Sequence, residues 1–173
     1  EHKFIGEIIN KSKNKSELIK YIEIAKNKTD YERMSVTKEK TGVDTGLIVT
    51  NPLNGKEVPL WIADYVLAGY GTGAIMAVPA GDEREWKFAK AFNLPIPSIF
   101  EGMDTDEAVY TEKSALLRDS GSLSGLNPIQ AIPEAIHLLE ANGVGTGQIN
   151  YRLRDAVFSR QRYWGEPFPI YYE

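Results

Sequence analysis

The chain has 173 residues, 42% of them apolar and 25% charged, with no cysteine, two histidines and a formal net charge of -4. That length suits one domain with a real core, or one domain and part of another. The missing cysteines exclude disulfides, thiolate catalysis and cysteine-ligated zinc, and with His2 and His137 far apart no metal site is expected. No apolar run is long enough for a bilayer and no secretory leader is visible, so no membrane partner is expected and a cytoplasmic location is the default. Charge is unevenly laid out: residues 1–40 carry ten Lys or Arg against seven Asp or Glu, and residues 41–148 carry six against fourteen. An acidic middle is a poor general binder of phosphate, so any contact with nucleic acid should be local, from the first segment or from the arginines near the C-terminus.

In chain order, residues 16–26 predict an amphipathic helix, with Ser16 as cap and Leu18, Ile22 and Ala25 on one face. After Lys40 the β-branched and aromatic residues predict short strands, and Asn51-Pro52 and Asn54-Gly55 predict the turn between them. The apolar run from Ala74, closed by Pro79, predicts a buried strand. Asp82 then stands at an N-cap position with Glu85 three residues on, and Trp86, Phe88, Ala89 and Phe92 supply helical spacing, so a helix is expected over 83–92. Residues 93–127 read as loops with one short helical stretch near 111–118. A further helix is expected over 129–142, with Pro133 near its first turn and Gly143 at its end. The last stretch, from Tyr151, alternates Arg152, Arg154, Arg160 and Arg162 with aromatic residues, which suits contact with another domain.

Gly69, Gly71 and Gly73 invite a nucleotide-loop reading. A dinucleotide fingerprint must open a helix, whereas apolar strand-like residues follow Gly73, and no Gly-Lys-Ser/Thr follows for a Walker loop. Glycines that permit a tight turn or close packing account for the pattern. Asp82 and Glu85 stay open between two readings. They can be a capping pair at the positive end of a helix, or an acidic cluster that holds a cationic group such as an α-ammonium.

The string YGTGAIMAVPAGDEREWKFAKAFNLPI at 70–96 resembles the hallmark of the editing domain of leucyl-tRNA synthetases. So do KTGVDTG at 40–46, NPLNGKEVPLWIADYVL at 51–67 and the terminal YRLRDAVFSRQRYWGEPFPI. The resemblance implies a mixed α/β fold with a barrel-like, mostly antiparallel β-sheet and surrounding helices. It assigns residues 1–148 to the editing insertion, connective peptide 1, and residues 149–173 to the return into the nucleotide-binding catalytic domain.

The implied activity is hydrolysis of the ester of mischarged leucine tRNA, within a synthetase that charges leucine using ATP and Mg. Editing itself needs no cofactor. The implied partners are the aminoacylated end of leucine tRNA and the rest of the catalytic domain. The need for a second site is physical, since one methylene in an apolar pocket is worth only about 1–3 kcal/mol, a bound the handling of sister synthetases illustrates. By similarity Met76 and Val78 are pocket wall, Tyr70 contacts the terminal adenosine or the amino acid, Asp82 and Arg84 support the acidic cluster, and Glu85 holds the ammonium. Asp82 and Glu85 are thus the candidate catalytic pair. Arg152, Arg154, Arg160 and Arg162 are expected to meet tRNA or the catalytic core, or to form an interdomain salt-bridge face.

The chain departs from the family where Glu85 replaces the usual Asp and Gly81 the usual His. A threonine-rich strand upstream of residue 1 and the HIGH and KMSKS signatures are also missing. The chain is therefore expected to be a piece of a synthetase that does not charge tRNA alone. A domain that only binds the tRNA acceptor end, its editing chemistry lapsed, is the alternative.

Overall fold

The computed structural model describes residues 2–29, 32–33, 40–69 and 71–149. Two helices, α1 (Ile5–Lys11) and α2 (Lys15–Lys26), precede a hairpin of β1 (Gly42–Thr50) and β2 (Glu57–Ala63), followed by α3 (Glu83–Ala91) and α4 (Pro128–Ala141). α2 is the helix expected from residue 16, with Leu18 fully buried and Ile22 and Ala25 partly so. It starts one residue earlier, after Asn14, and Ser16 lies within its first turn rather than capping it. No helix among the described residues is long and apolar enough to cross a membrane.

The hairpin forms because its turn residues act locally. Asn51 and Asn54 accept the amides of Leu53 (2.9 Å) and Lys56 (3.0 Å), and Gly55 takes a left-handed φ of 68°. The strands pair antiparallel from Gly42 opposite Ala63 to Thr50 opposite Glu57, with a bulge between Asp44 and Leu47. Thr45, fully buried, fills the bulge: its hydroxyl donates to Leu60 O (2.7 Å) and accepts from Leu47 N (3.1 Å), while Ser12 Oγ donates to Thr45 O (2.7 Å). The sheet of the described residues is antiparallel, as expected, and two-stranded, with no closed barrel among those residues.

A polar knot holds α2 to the far end of the hairpin. The carboxylate of buried Asp64 accepts from Lys28 Nζ (2.5 Å) and Thr41 Oγ1 (2.8 Å). Tyr21 Oη accepts the Asp64 amide (3.0 Å) and donates to Thr41 O (2.7 Å), and Arg33 Nε donates to Asp64 O (2.7 Å). The amide, the carbonyl and Oδ2 of Asp64 are thereby all met, as buried polar groups require.

The second half is built differently. Ala80, Ala89, Ile96, Phe100, Leu117 and Ala131 form its core, with Trp86, Leu94 and Tyr110 packed against them. Residues 111–118 are not the expected helix. They include the bridge partner of Phe100, at Leu117, and the regular element nearby is a single 3-10 turn at Gly121–Leu123. α4 begins in a full capping box between Asn127 and Gln130 and ends at Gly143 (φ 66°), whose amide bonds Glu140 O while that of Val144 bonds Leu139 O. Pro133 sits within the helix, beyond the first turn.

Candidate functional site

α3 carries the acidic cluster, and its start explains the cluster's geometry. Asp82 is the N-cap, as expected: its extended backbone lets Oδ1 accept from Arg84 N (2.8 Å) and Glu85 N (3.2 Å), while Oδ2 pairs with Arg84 Nη2 at 3.4 Å. The helix ends at Asn93 (φ 52°), with Leu94 N bonded to Ala89 O at 2.8 Å. Glu85 does not close a capping box. The Asp82 amide is already bound to Val78 O (3.2 Å), as is that of Gly81 (2.9 Å), and the Glu85 carboxylate reaches seven residues back to accept the Val78 amide. Both main-chain groups of Val78 are therefore held by the helix start.

The segment before Val78 departs from expectation. Residues 74–78 have no strand partner among the described residues, and Met76 (48% exposed) and Val78 (43%) point largely to solvent, with Ile75 also exposed. An apolar run alone does not decide between a buried strand and an exposed wall. Gly71 and Gly73 take φ of 60° and 77°, so the turn reading of these glycines holds and they cradle no phosphate-facing helix. A side chain at Gly73 would press on Ala68 Cα (3.1 Å) and His2 Cδ2 (3.2 Å).

α3 is anchored on both flanks. On one, Phe88 stacks with Trp61, Tyr65 and Phe92 at ring separations of 5.5, 5.6 and 4.7 Å. A Cβ at Gly42 would lie 2.6 Å from Phe88 Cε2, so glycine lets β1 and α3 approach. On the other, Trp86 Nε1 donates to Thr105 O (2.8 Å), and Lys90 lies over the Trp86 ring and 3.6 Å from Asp106.

The two carboxylates are driven apart. Burial pushes Asp82 up, but the bonds from the Arg84 side chain and the Glu85 and Arg84 amides outweigh it and leave Asp82 below its usual range. Burial raises Glu85, and neighbouring Asp82 adds to this, against the opposing Val78 amide and Arg84. Tyr65, buried at the edge of the cluster, has its phenol pushed well up by burial and by the charges of Glu85 and Asp82. Lys40 is buried as well; burial lowers its ammonium pKa, which also feels Asp64, Arg84 and Lys87. The arrangement offers one firmly ionised carboxylate and one half-buried carboxylate beside exposed apolar side chains.

The cluster thus brings together Val78, Asp82, Arg84 and Glu85, with exposed Met76 two residues before Val78. Tyr70 and Arg152, Arg154, Arg160 and Arg162 lie outside the described residues. Sequence reading missed Tyr65, Lys40 and the Asp64 knot; the available signal was an acid set in the apolar run TrpIleAlaAspTyrVal. A cavity of about 550 Å³ lies elsewhere, between α1, α2 and the hairpin, and it reaches this region only at Gly73, Ala74 and Ile75. That cavity's walls are chiefly apolar. No group of three metal-binding side chains occurs among the described residues.

The family model for the leucyl-tRNA synthetase editing domain matches residues 1–140. The chain is 47% identical over 175 aligned residues to the leucine–tRNA ligase of Cytophaga hutchinsonii, across all of this chain and 19% of that protein. Its structure is similar to the LeuRS of Agrobacterium radiobacter K84 in a ternary LeuRS-tRNA-LeuAMS complex, with a TM-score of 0.62 and 31% identity over 89% of this chain and 16% of that one. The chain therefore spans under a fifth of either relative's length. The match over residues 1–140 takes in both the hairpin and the acidic cluster, and the chain belongs to the leucyl-tRNA synthetase editing-domain family.

Proposed function

We propose that this chain forms the proofreading site of a leucine–tRNA ligase, where water hydrolyses the ester that joins a wrong amino acid to leucine tRNA. The observation that carries the reading is Glu85: a half-buried carboxylate beside the exposed Met76 and Val78, with ionised Asp82 one turn away. A carboxylate pair next to small apolar walls suits an aminoacyl ester, whose α-ammonium is cationic and whose side chain is apolar. Arg84 is turned to Asp82 and holds that carboxylate in place. In this reading Met76 and Val78 limit the size of side chain admitted, and Tyr70 meets the terminal adenosine or the amino acid. The arginines from Arg152 to Arg162 meet tRNA or the catalytic core, and ATP with Mg serves only the charging step of a whole ligase.

Hydrolysis of such an ester gains most from orientation and from donors placed at the developing oxyanion. The test is deacylation of norvalyl- and isoleucyl-charged leucine tRNA, with leucyl-charged tRNA as control. It is run with this chain and with the Cytophaga ligase in which this chain replaces its own matching segment. Selective loss of the wrong amino acid supports the reading, and a chimera that charges tRNA but clears nothing overturns it.

A second reading, acceptor-end binding without chemistry, draws support from one observation: the Glu85 carboxylate is already engaged by the Val78 amide. Under that reading the chimera binds mischarged tRNA as tightly as the native ligase and leaves its ester intact.

A further inference from the structure

The lysines of the first two helices are a charged feature that the acidic cluster leaves unused. α1 and α2 meet in a short link whose residues alternate in direction. Ser12, buried, donates its hydroxyl to Thr45 O (2.7 Å), and Asn14 Nδ2 donates to Asp44 O (3.3 Å), so both are turned to the bulge of β1. Lys11, Lys13 and Lys15, the residues in between and on either side, are exposed. Pinning Ser12 and Asn14 to the hairpin thus presents three ammonium groups to solvent side by side.

Those charges have little use inside the fold. Glu7 meets Lys11 only at 3.9 Å, with side chains 68% and 72% exposed, and such a surface pair contributes little. Lys13 and Lys15 make no ion pair among the described residues. Lys15 moreover opens α2, where the positive end of the helix dipole disfavours a cation. Stability does not call for this cluster, whereas a polyanion would use it.

We infer that Lys11, Lys13 and Lys15 form a phosphate-facing surface that receives the backbone of the tRNA acceptor strand while its aminoacylated end occupies the proofreading site, an inference that rests on the proofreading reading for the identity of the RNA. Residues 41–148 carry six Lys or Arg against fourteen Asp or Glu, a field that repels RNA and leaves the link as a local point of attraction. The link is also near the apolar wall. α1 starts beside it, where a Cβ at Gly73 would lie 3.2 Å from His2 Cδ2, and the seven residues of α1 span about 10 Å. That is the length of about three stacked nucleotides at about 3.4 Å each.

Lys11→Gln/Lys13→Gln/Lys15→Gln removes the charges, and because all three residues are exposed the urea midpoint should not move. In the chimeric ligase it should raise KM for norvalyl-tRNA deacylation about tenfold and leave kcat within about twofold, the pattern of lost uniform binding. The slope of log affinity against log salt should fall by about two, at about 0.7–0.9 per phosphate contact. KM for tRNA in leucine charging should stay within about twofold, since the acceptor end is then in the other site. Lys3→Gln/Lys20→Gln/Lys26→Gln removes the same charge from either side of the link, and should change deacylation by less than about threefold.

An unchanged KM and slope overturn the inference. So does an equal effect from the second variant, which would make the lysines a general field, or slower charging with tRNA affinity intact, which would set them against an acidic surface of the ligase. If no form clears norvalyl-tRNA, the binding of that uncleaved tRNA across salt still reads the contact. A slope lowered only by the link variant then upholds the surface while the proofreading reading fails, and an unchanged slope removes both.

Discussion

The two halves of the molecule are held in different ways. The described residues up to Ala63 are held by regular elements, a strand ladder and a helix tied by the Asp64 knot, so each contact is backed by others. The stretch from Gly71 to Leu126 has one α-helix and one 3-10 turn, and its loops combine scattered main-chain bonds and an apolar core with single side chains reaching main-chain atoms: Glu85 to Val78, Trp86 to Thr105, Arg118 to Ser98. A scaffold tolerates redundancy. A site built from loops owes its shape to a few bonds, and each is a place where one substitution changes function more than stability.

Phe88 stands at the seam and offers the largest effect. Phe88→Ala removes the ring that joins Trp61 and Tyr65 to α3, and should cost about 3–4 kcal/mol, read from the urea midpoint. Asp64→Ala strikes the scaffold alone. A fully buried pair would lose more, but the Lys28 side chain is a third exposed, so about 2–3 kcal/mol is expected.

Trp86→Phe strikes the site half, with a loss of about 1 kcal/mol for its bond to Thr105. Because Asp64 and Trp86 bond to different residues, the double variant should be additive within about 0.5 kcal/mol, and a larger coupling would erase the division between the two halves. Gly81→Ala should raise stability by about 0.4–1 kcal/mol. The added Cβ meets Phe100 Cζ at an ordinary 3.6 Å and the backbone φ there is not left-handed, so a midpoint that falls would show hidden crowding.

The smallest effect is in pH. Glu85 has a folded pKa above its unfolded value, so the folded chain keeps a proton that the unfolded chain releases, and its contribution to stability falls as pH rises through that window. Asp82, with a lowered folded value, contributes above its unfolded pKa and loses that contribution as pH falls through the folded one. Glu85→Gln should flatten the first slope and leave the second, which urea titrations across mildly acidic pH can resolve.

How much of this was legible in the residues follows from the range of each interaction. The hairpin turn, the Asp82 cap and the Gly143 end of α4 were readable because their bonds span two to five residues, whereas the Asn127–Gln130 capping box at its start was missed. α1 left no clear pattern, since it buries no residue. The run AlaIleMetAlaValPro was misread because hydrophobicity reports a wish for burial, not the presence of a partner. The Asp64 knot joins residues 36 apart, and no local spacing encodes it. Glu85 lay between: its carboxylate was visible, but its choice of Val78 over the cap depended on which amides were already taken.

The ring cluster of Trp61, Tyr65, Phe88 and Phe92 also makes the junction optically visible. Rings fixed at 4.7–5.6 Å and unequal tilts form a chiral array, so near-ultraviolet circular dichroism should report whether the hairpin and α3 are docked. The wall at Met76 and Val78 carries no such chromophore. A preparation can therefore look native by that spectrum while its wall is displaced, and only an amide-level probe would tell the two apart.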